Sequence, residues 1–324
     1  MKRGLITWDK TEIPPAVFDE RIHRLRDFLS SKRLPALVVY SELWRSNPAR
    51  FFSNYMPYFN RALLVLPLEG APTLLCGLSP RVYSWIRSVT TIEDVRPAGN
   101  FARPLMQVAS EHQWDRMGCL DFAQFPHDIH QALRAEPFVW VPVESTRVYS
   151  AGGDSTELAM RRKAALISRE ILDEQLTKWV GERDHHFVGE LERRFRRAVV
   201  EDLMVMLTNG HGLPSPPEGT ALEENFSVSL AVEYRGHWIR LSRPCAPPEI
   251  LKVCSERFAQ MSASVETSPL SFEILDGSYP YECIDRKDLK PGSIVAVHTE
   301  VHHAGKRLFY GDTCLYDQSG FLTL

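Results

Sequence analysis

The chain of 324 residues is long enough for two domains, each with a core of its own. Its hydrophobic fraction of 44% and charged fraction of 24% are those of an ordinary globular enzyme. A net charge of -3 excludes the strongly basic class that binds nucleic acid or anionic membranes, so we expect neither as a partner. The sequence has no run of about 18 apolar residues, and we expect no membrane-spanning helix.

The terminus and the cysteines predict a cytoplasmic protein. The opening residues, MKRGLITWD, are too short and too polar a segment to predict a signal peptide. The six cysteines show no CxxC spacing, so we interpret them as reduced, buried thiols and not as a disulfide framework.

The first half of the chain alternates helix and strand patterns. Apolar residues recur at helical spacing from Phe18 to Leu29, and the run ALVVY at 36–40 then predicts a buried strand. Two apolar runs flank Glu69 and Gly70 and predict a β-hairpin. Further patterns predict a helix at 80–87, a strand at 91–95, a helix at 103–111, a strand at 117–120, a helix at 127–134 and a strand at 138–141. This alternation favours a three-layer α/β domain over residues 1–150.

The segment AGGD at 151–154 is predicted to be the hinge to a second domain, residues 151–324. Asp154 predicts a helix N-cap, and Glu157, three residues on, completes a capping box. The helix pattern that follows has one apolar face, and Gly181 predicts its end. Another amphipathic helix is predicted directly after it.

Two stretches near the C-terminus carry the most specific pattern. The first is FSVSLAVEYRGHWIRLSR at 226–243; the second is LKPGSIVAVH at 289–298, followed by YGDTCLY at 310–316. They resemble the active-site strands of the creatinase / aminopeptidase P / prolidase family, whose metal-dependent members read like LLDLGAEYNGYRSDITRT, LKPGMVFTVEPG and IEDTVLV. The resemblance implies an α/β N-terminal domain followed by an α+β pita-bread C-terminal domain.

The residues that bind metal in that family are missing from this chain. The resemblance implies two Asp, one His and two Glu around a pair of metals; the Asp positions here are Ser229 and Arg240, and the Glu positions are His298 and Gly311. The HGIGL segment that supplies the metal-binding His is also absent from the sequence. An Arg places a fixed positive charge where a cation would sit, so we expect no metal and no other cofactor.

A different, mononuclear metal site stays open as an alternative. His298, Glu300 and His302 are spaced two residues apart and would share one face of a strand, with His237 as a further ligand. The competing interpretation makes His302 and His303 turn residues, because a glycine follows shortly after them.

His211 and His298 are the predicted catalytic residues. His211 lies in TNGHGL at 208–213, about where the family keeps a His that contacts substrate or transfers protons. Creatinase uses such a His together with carboxylates and without metal; the matching carboxylate positions here read Ser242 and His298. We expect both imidazoles to be neutral at pH 7, because Arg240 disfavours a further positive charge. The alternative is a loop histidine without a role.

Residues around this pair are predicted to hold the substrate. On the C-terminal strands they are Ser229, His237, Arg240, Arg243 and Glu300.

Phe59 and Arg61 are predicted to act in the site of a neighbouring subunit. They belong to YFNR at 58–61, which resembles the YFGR run that creatinase places over its neighbour's active site. The resemblance implies that the ring packs on the substrate and that the guanidinium binds a carboxylate. This interpretation predicts a homodimer; the alternative is a surface Arg at the start of a strand.

Two functions follow from this pattern. The first is a metal-independent enzyme that acts on a small amino-acid-like, amide or guanidino substrate by C–N hydrolysis or elimination. The second is a catalytically inactive homologue that binds a peptide or protein partner.

Overall fold

The structure is a computed structural model that describes residues 7–144, 154–209, 212–263, 272–274, 282–284, 289, 291–317 and 319–324. Two compact units divide the chain, one within residues 4–150 and the other within residues 151–324. Within the described residues, no helix is both long and apolar enough to cross a membrane.

The first unit is built on a mixed six-stranded sheet within the described residues. Its strands are β1 (Ala36–Glu42), β2 (Arg61–Pro67), β3 (Thr73–Cys76), β4 (Asp94–Pro97), β5 (Arg116–Leu120) and β6 (Val139–Val143), in the spatial order β4-β3-β2-β1-β5-β6. The β1–β2 and β2–β3 pairs are antiparallel and the other pairs are parallel. Its helices are α1 (Pro15–Lys32), α2 (Asn47–Ser53), α3 (Tyr83–Val89), α4 (Ala102–Glu111) and α5 (His127–Arg134).

Helices cover both faces of this sheet, as predicted for a three-layer α/β domain. One core includes Leu29 of α1, Phe52 of α2 and Ile86 of α3. The other includes Leu105 of α4 and Leu133 of α5. The α2 helix was not predicted, because seven residues are too few to show a helical period.

The second unit is built on an antiparallel sheet. Its strands are β7 (Asp202–Thr208), β8 (Phe226–Tyr234), β9 (His237–Cys245), β10 (Phe272–Ile274), β11 (Glu282–Ile284), β12 (Ile294–His303), β13 (Lys306–Asp317) and β14 (Gly320–Thr323). They pair in the order β11-β10-β12-β13-β9-β8-β7, and β14 pairs with β13. In the described part of this unit, α6 (Ser155–Gln175) and α7 (Asp184–Arg197) precede β7 in the chain, and α8 (Pro248–Ala263) lies between β9 and β10.

Side chains of these helices pack against one face of the second sheet. Phe187 of α7 contacts Phe226 of β8 edge to face, with ring centroids 5.8 Å apart. Phe258 of α8 packs with Val295 and Val297 of β12. Because side chains alternate along a strand, residues one position away from these face the opposite side of the sheet.

The first helix of this unit begins as predicted and ends earlier than predicted. Asp154 accepts a hydrogen bond from the Glu157 amide, and the Glu157 carboxylate accepts one from the Asp154 amide, which completes the capping box. The helix ends at Gln175 and passes into a turn of 3-10 helix, six residues before Gly181. The residues 151–153 of the predicted hinge lie outside the described residues.

Two tight hairpins fix the register of the strands that carry the site. Arg235 and Gly236 join β8 to β9 with φ angles of 50° and 85°, and Ala304 and Gly305 join β12 to β13 with φ angles of 47° and 76°. Positive φ at both central residues is typical of a type I′ turn. The prediction that His302 and His303 form the second turn is therefore wrong. They are the last residues of β12, because the two-residue turn needs only the Ala-Gly pair.

Candidate active site

Four neighbouring strands of the second unit bring one row of residues together. Ser229 of β8 pairs with Ser242 of β9, Ser242 pairs with Gly311 of β13, and Gly311 pairs with His298 of β12. Residues directly opposite each other on adjacent strands have side chains about 5 Å apart on the same face. The row contains three of the four positions where the resemblance implies metal-binding carboxylates, and Arg240, the fourth, lies two residues from Ser242 on β9.

A chain of hydrogen bonds runs along this row. The hydroxyl oxygens of Ser229 and Ser242 are 2.6 Å apart, and Ser242 Oγ is 3.1 Å from Nδ1 of His298. A hydroxyl both donates and accepts, so Ser242 can accept from Ser229 while it donates to the imidazole. Sequence analysis noted Ser242 only as a replaced carboxylate. Its place in the row depends on pairing between strands that are far apart in the chain.

Gly311 makes the contact between Ser242 and His298 possible. A Cβ atom at position 311 would lie 2.6 Å from Nδ1 of His298 and 2.4 Å from the carbonyl oxygen of Val297. The imidazole thus lies over the glycine and reaches across β13 to a hydroxyl on β9. His298 and Gly311, which the sequence presents as two separate losses, are sterically complementary.

The imidazole of His298 is electrically neutral in this setting. Burial, reinforced by the positive charges of Arg240 and Arg243, lowers its pKa to about 3. The expectation of a neutral His298 at pH 7 agrees with this value. Among the described residues, its shielded Nε2 atom has no hydrogen-bond partner.

The two arginines of β9 lie on opposite faces of the sheet. Arg240 shares the face of Ser242, and its backbone N–H and C=O both bond the Thr313 hydroxyl at 2.8 Å. The buried Arg243 donates to the carbonyl of Gly311 at 2.7 Å and to Oδ2 of Asp312 at 2.7 Å. These contacts give Arg243 a structural place between β9 and β13, and its contact with a substrate stays a prediction.

His237 lies away from the row. It is buried at the start of β9, and its Nδ1 is 3.8 Å from a carboxylate oxygen of Glu157 on α6. By strand alternation it faces the helices, on the same side as Arg243 and opposite Ser242. The structure therefore does not bring His237 together with His298 and Glu300, the combination required for the alternative mononuclear site.

Glu300 already has partners on its own side of the sheet. Its carboxylate accepts two hydrogen bonds from Arg307, at 2.6 and 2.7 Å, and lies 2.7 Å from Nε2 of His302. The Arg307 guanidinium holds the pKa of the Glu300 carboxyl below its usual range. Within the described residues, no group of three or more His, Cys, Asp or Glu is arranged to hold a metal ion.

The remaining predicted residues lie elsewhere or outside the described residues. His211 lies outside the described residues. In the first unit, Arg61 begins β2 and pairs with Asp128 at 2.8 Å. Phe59 is 70% exposed with a φ of 49°, and its ring lies edge-on to Tyr58 with centroids 4.4 Å apart.

The cysteines near the row are unsuited to nucleophilic chemistry. Burial raises the pKa of the Cys314 thiol to about 12 and raises that of the Cys245 thiol. A nucleophilic cysteine needs the opposite shift, toward the thiolate.

Comparison with solved structures identifies the architecture. An X-Pro aminopeptidase from Thermotoga maritima superposes with a TM-score of 0.74 over 93% of this chain and 96% of that one, at 13% identity. A prolidase from Pyrococcus horikoshii gives 0.70 over 94% and 97% at 12% identity, and an Xaa-Pro dipeptidase from Bacillus anthracis gives 0.72 over 94% and 97% at 14% identity. This chain has the pita-bread fold.

At these identities the similarity establishes the fold alone. No model of a known protein family matches the sequence, and no curated protein matches it either. The α/β domain followed by an α+β pita-bread domain, expected from the sequence, is confirmed. The chemistry of this pita-bread protein must be argued from its own residues.

Proposed function

We propose that this pita-bread protein is a hydrolase that cleaves a C–N bond in a small amino-acid-like, amide or guanidino substrate without a metal. The observation that carries the proposal is the hydrogen-bonded row Ser229–Ser242–His298, on a face of the sheet opposite the packed helices. A hydrogen-bonded row of two hydroxyls and an imidazole is suited to proton transfer. A role in core packing alone would be met by apolar side chains at these positions.

The charges around the row favour a reaction that develops negative charge. Arg240 supplies a fixed positive charge beside the neutral imidazole. Such a charge stabilises an oxyanion in a site of low dielectric. Electrostatic stabilisation of this kind usually contributes most to acyl-transfer catalysis. General acid–base transfer by His298, with His211 as its expected partner, contributes about 10²–10⁴-fold in rate.

A substrate panel tests this function. The purified protein, treated with EDTA, is incubated with N-acyl amino acids, dipeptides, primary amides and guanidino acids, and release of the amine is followed by mass spectrometry. We expect turnover of at least one class and its loss in His298→Ala, whereas His302→Ala on the same strand retains it. No turnover by the wild type, or full turnover by His298→Ala, contradicts the proposal.

We further propose a homodimer in which Phe59 and Arg61 serve the neighbour's site. The exposure of Phe59 and of its neighbour Tyr58, at 70% and 42%, supports a role in contact with another molecule. Cys76, Cys119, Cys245, Cys254 and Cys314 are free, buried thiols, which supports our placement of the protein in a reducing compartment such as the cytoplasm.

The second candidate is an inactive homologue that binds a peptide or protein. It is favoured by the large exposed aromatic side chains of the first unit, Trp44, Tyr58 and Phe59. Aromatic residues of this kind dominate binding energy at protein interfaces. The substrate panel separates the two candidates, because a binding protein turns over none of the compounds.

A further inference from the structure

The two hydroxyl groups of the row, those of Ser229 and Ser242, differ in position and therefore in the chemistry that each can perform. We propose that Ser229 is a nucleophile that forms a covalent ester with the substrate, and that Ser242 relays its proton to His298. The inference rests on the proposed hydrolase function and adds a covalent intermediate to it.

The position of each hydroxyl decides which one attacks. Ser242 lies in the middle of the hydrogen-bonded row, with one hydrogen bond to Ser229 and one to His298, and it is 1% exposed. Ser229 is the terminal hydroxyl and is 7% exposed. Ser229 accepts no hydrogen bond within the row, so both lone pairs of its oxygen are available to a substrate carbon, whereas Ser242 uses one of its lone pairs to accept from Ser229.

The proton and electron movements balance along this chain. The Ser229 hydroxyl gives its proton to Ser242 Oγ while Ser242 gives its own to Nδ1 of His298, which requires the tautomer protonated on Nε2. The Ser229 oxygen bonds to the carbonyl or amidino carbon, the C–N bond breaks, and the proton returns through Ser242 to the leaving nitrogen. Water then cleaves the ester by the same route and restores the serine.

The neighbouring Arg240 compensates for a weakly basic imidazole. Burial is the main reason that the imidazolium is disfavoured, and the charges of Arg240 and Arg243 add to it. Arg240, which shares the face of Ser229 and Ser242, would also stabilise the Ser229 alkoxide and the oxyanion that forms when it attacks. The Ser229 alkoxide and the His298 imidazole are therefore both less basic than usual, so the proton transfer between them becomes less unfavourable. A nucleophile whose base lies within hydrogen-bond reach is the general signature of covalent catalysis.

Covalent labelling tests the assignment. The full-length protein is treated with a fluorophosphonate probe, which esterifies activated serines with release of fluoride, and the adduct is located by intact mass and peptide mapping. We expect one label per chain, on Ser229. Ser229→Ala should take none, and Ser242→Ala and His298→Asn should label about 10²-fold more slowly, since each removes base assistance.

Ser227→Ala is the matched control. Ser227 lies two residues away on β8, on the same face and also buried, but its hydroxyl accepts a hydrogen bond from the Phe309 amide and does not join the row. This variant should label at the wild-type rate. Circular dichroism and melting temperature verify that each variant folds. If Ser229→Ala does not fold, Ser229→Cys keeps the volume and should react with iodoacetamide faster than free cysteine.

The outcomes separate this inference from the hydrolase proposal. A label on another residue, or a rate that Ser242→Ala and His298→Asn leave unchanged, overturns the nucleophile. The nucleophile is also overturned if Ser229→Ala keeps its turnover while His298→Ala loses it. That result would leave a hydrolase in which water attacks the substrate directly. A wild type that takes no label and turns over no substrate overturns both.

Discussion

The imidazole of His298 occupies the space that a side chain at Gly311 would need. Its Nδ1 lies 2.6 Å from where a Cβ at position 311 would be, and from there it reaches the Ser242 hydroxyl at 3.1 Å. A larger residue at 311 and this position of His298 are mutually exclusive. The two residues define the chemistry of the row together.

Gly311→Ala is expected to destabilise the protein and to move His298. The new Cβ would also meet the Val297 carbonyl at 2.4 Å, which the backbone can relieve only by shifting. Overpacking of this kind costs about 1–3 kcal/mol in the free energy of unfolding, measurable by urea denaturation. The control is Gly189→Ala in α7, where nothing lies within 4 Å of the added atom. It should stabilise by about 0.5–1 kcal/mol, because alanine favours a helix. An unchanged stability in Gly311→Ala contradicts the described packing.

His298 is expected to make the protein less stable in mild acid. Its pKa is lowered to about 3 when folded, whereas an unfolded histidine titrates at about 6.5. Between these two pKa values the unfolded chain binds a proton that the native chain does not. The contribution of His298 to the free energy of unfolding is therefore complete above about pH 6.5 and falls by about 1.4 kcal/mol per pH unit below it. Arg240 and Arg243 are the charged groups that reinforce the effect of burial.

Comparison with His298→Asn isolates this contribution. Between pH 6.5 and pH 5 the free energy of unfolding of the wild type should fall by about 2 kcal/mol more than that of the variant. The NMR signals of the ring should show no titration above pH 4.5. An imidazole that titrates near pH 6.5 would mean that His298 is accessible to water and does not occupy the described position.

The buried pair Arg243–Asp312 is expected to matter for stability. Arg243→Met leaves the Asp312 carboxylate with Arg169 as its remaining cation, at 3.1 Å. Removing one partner of a buried pair costs about 3–5 kcal/mol, and the retained Arg169 should keep the loss near the lower end. The exposed pair Arg193–Glu190 gives the matched comparison: Arg193→Ala should leave the stability nearly unchanged, because water screens that pair. Equal losses in the two variants would show that Arg243 is not held as described.

The purified protein is expected to contain far less than one equivalent of Mn, Co, Zn or Fe. At the positions where the family resemblance implies carboxylates, the sequence has Ser229, Arg240, His298 and Gly311, a set that we propose does not hold a pair of cations. Elemental analysis measures the content, and EDTA should leave the melting temperature unchanged. Stoichiometric metal with an EDTA-sensitive melt would contradict the metal-free proposal.

Arg61→Ala is expected to weaken substrate binding while it leaves stability nearly unchanged. Its ion pair with Asp128 is exposed, with side chains 42% and 62% accessible, so its loss should cost less than about 1 kcal/mol. Light scattering should show a dimer at micromolar concentration. A monomer that binds substrate normally would remove the role proposed for Phe59 and Arg61.

The sequence by itself determined the frame of this protein. Local patterns predicted the Asp154–Glu157 capping box and most elements of the first unit, because each depends on residues close together in the chain. The family resemblance of two stretches predicted β8, β9, β12 and β13. The motif alignment also placed Ser229, Arg240, His298 and Gly311 at one site. The end of α6 was predicted six residues too late, since apolar spacing continues into the 3-10 turn.

Only the tertiary structure decided what those residues do to one another. Strand register joins Ser229 to Ser242 and His298, and the alternation of faces turns His237 and Arg243 toward the helices. These relations depend on pairing between β9 and β13, whose contacting residues are about seventy positions apart, as in Ser242 and Gly311. No local pattern encodes such a register, because a shift of one residue would reverse every side chain of the strand while leaving its periodicity intact.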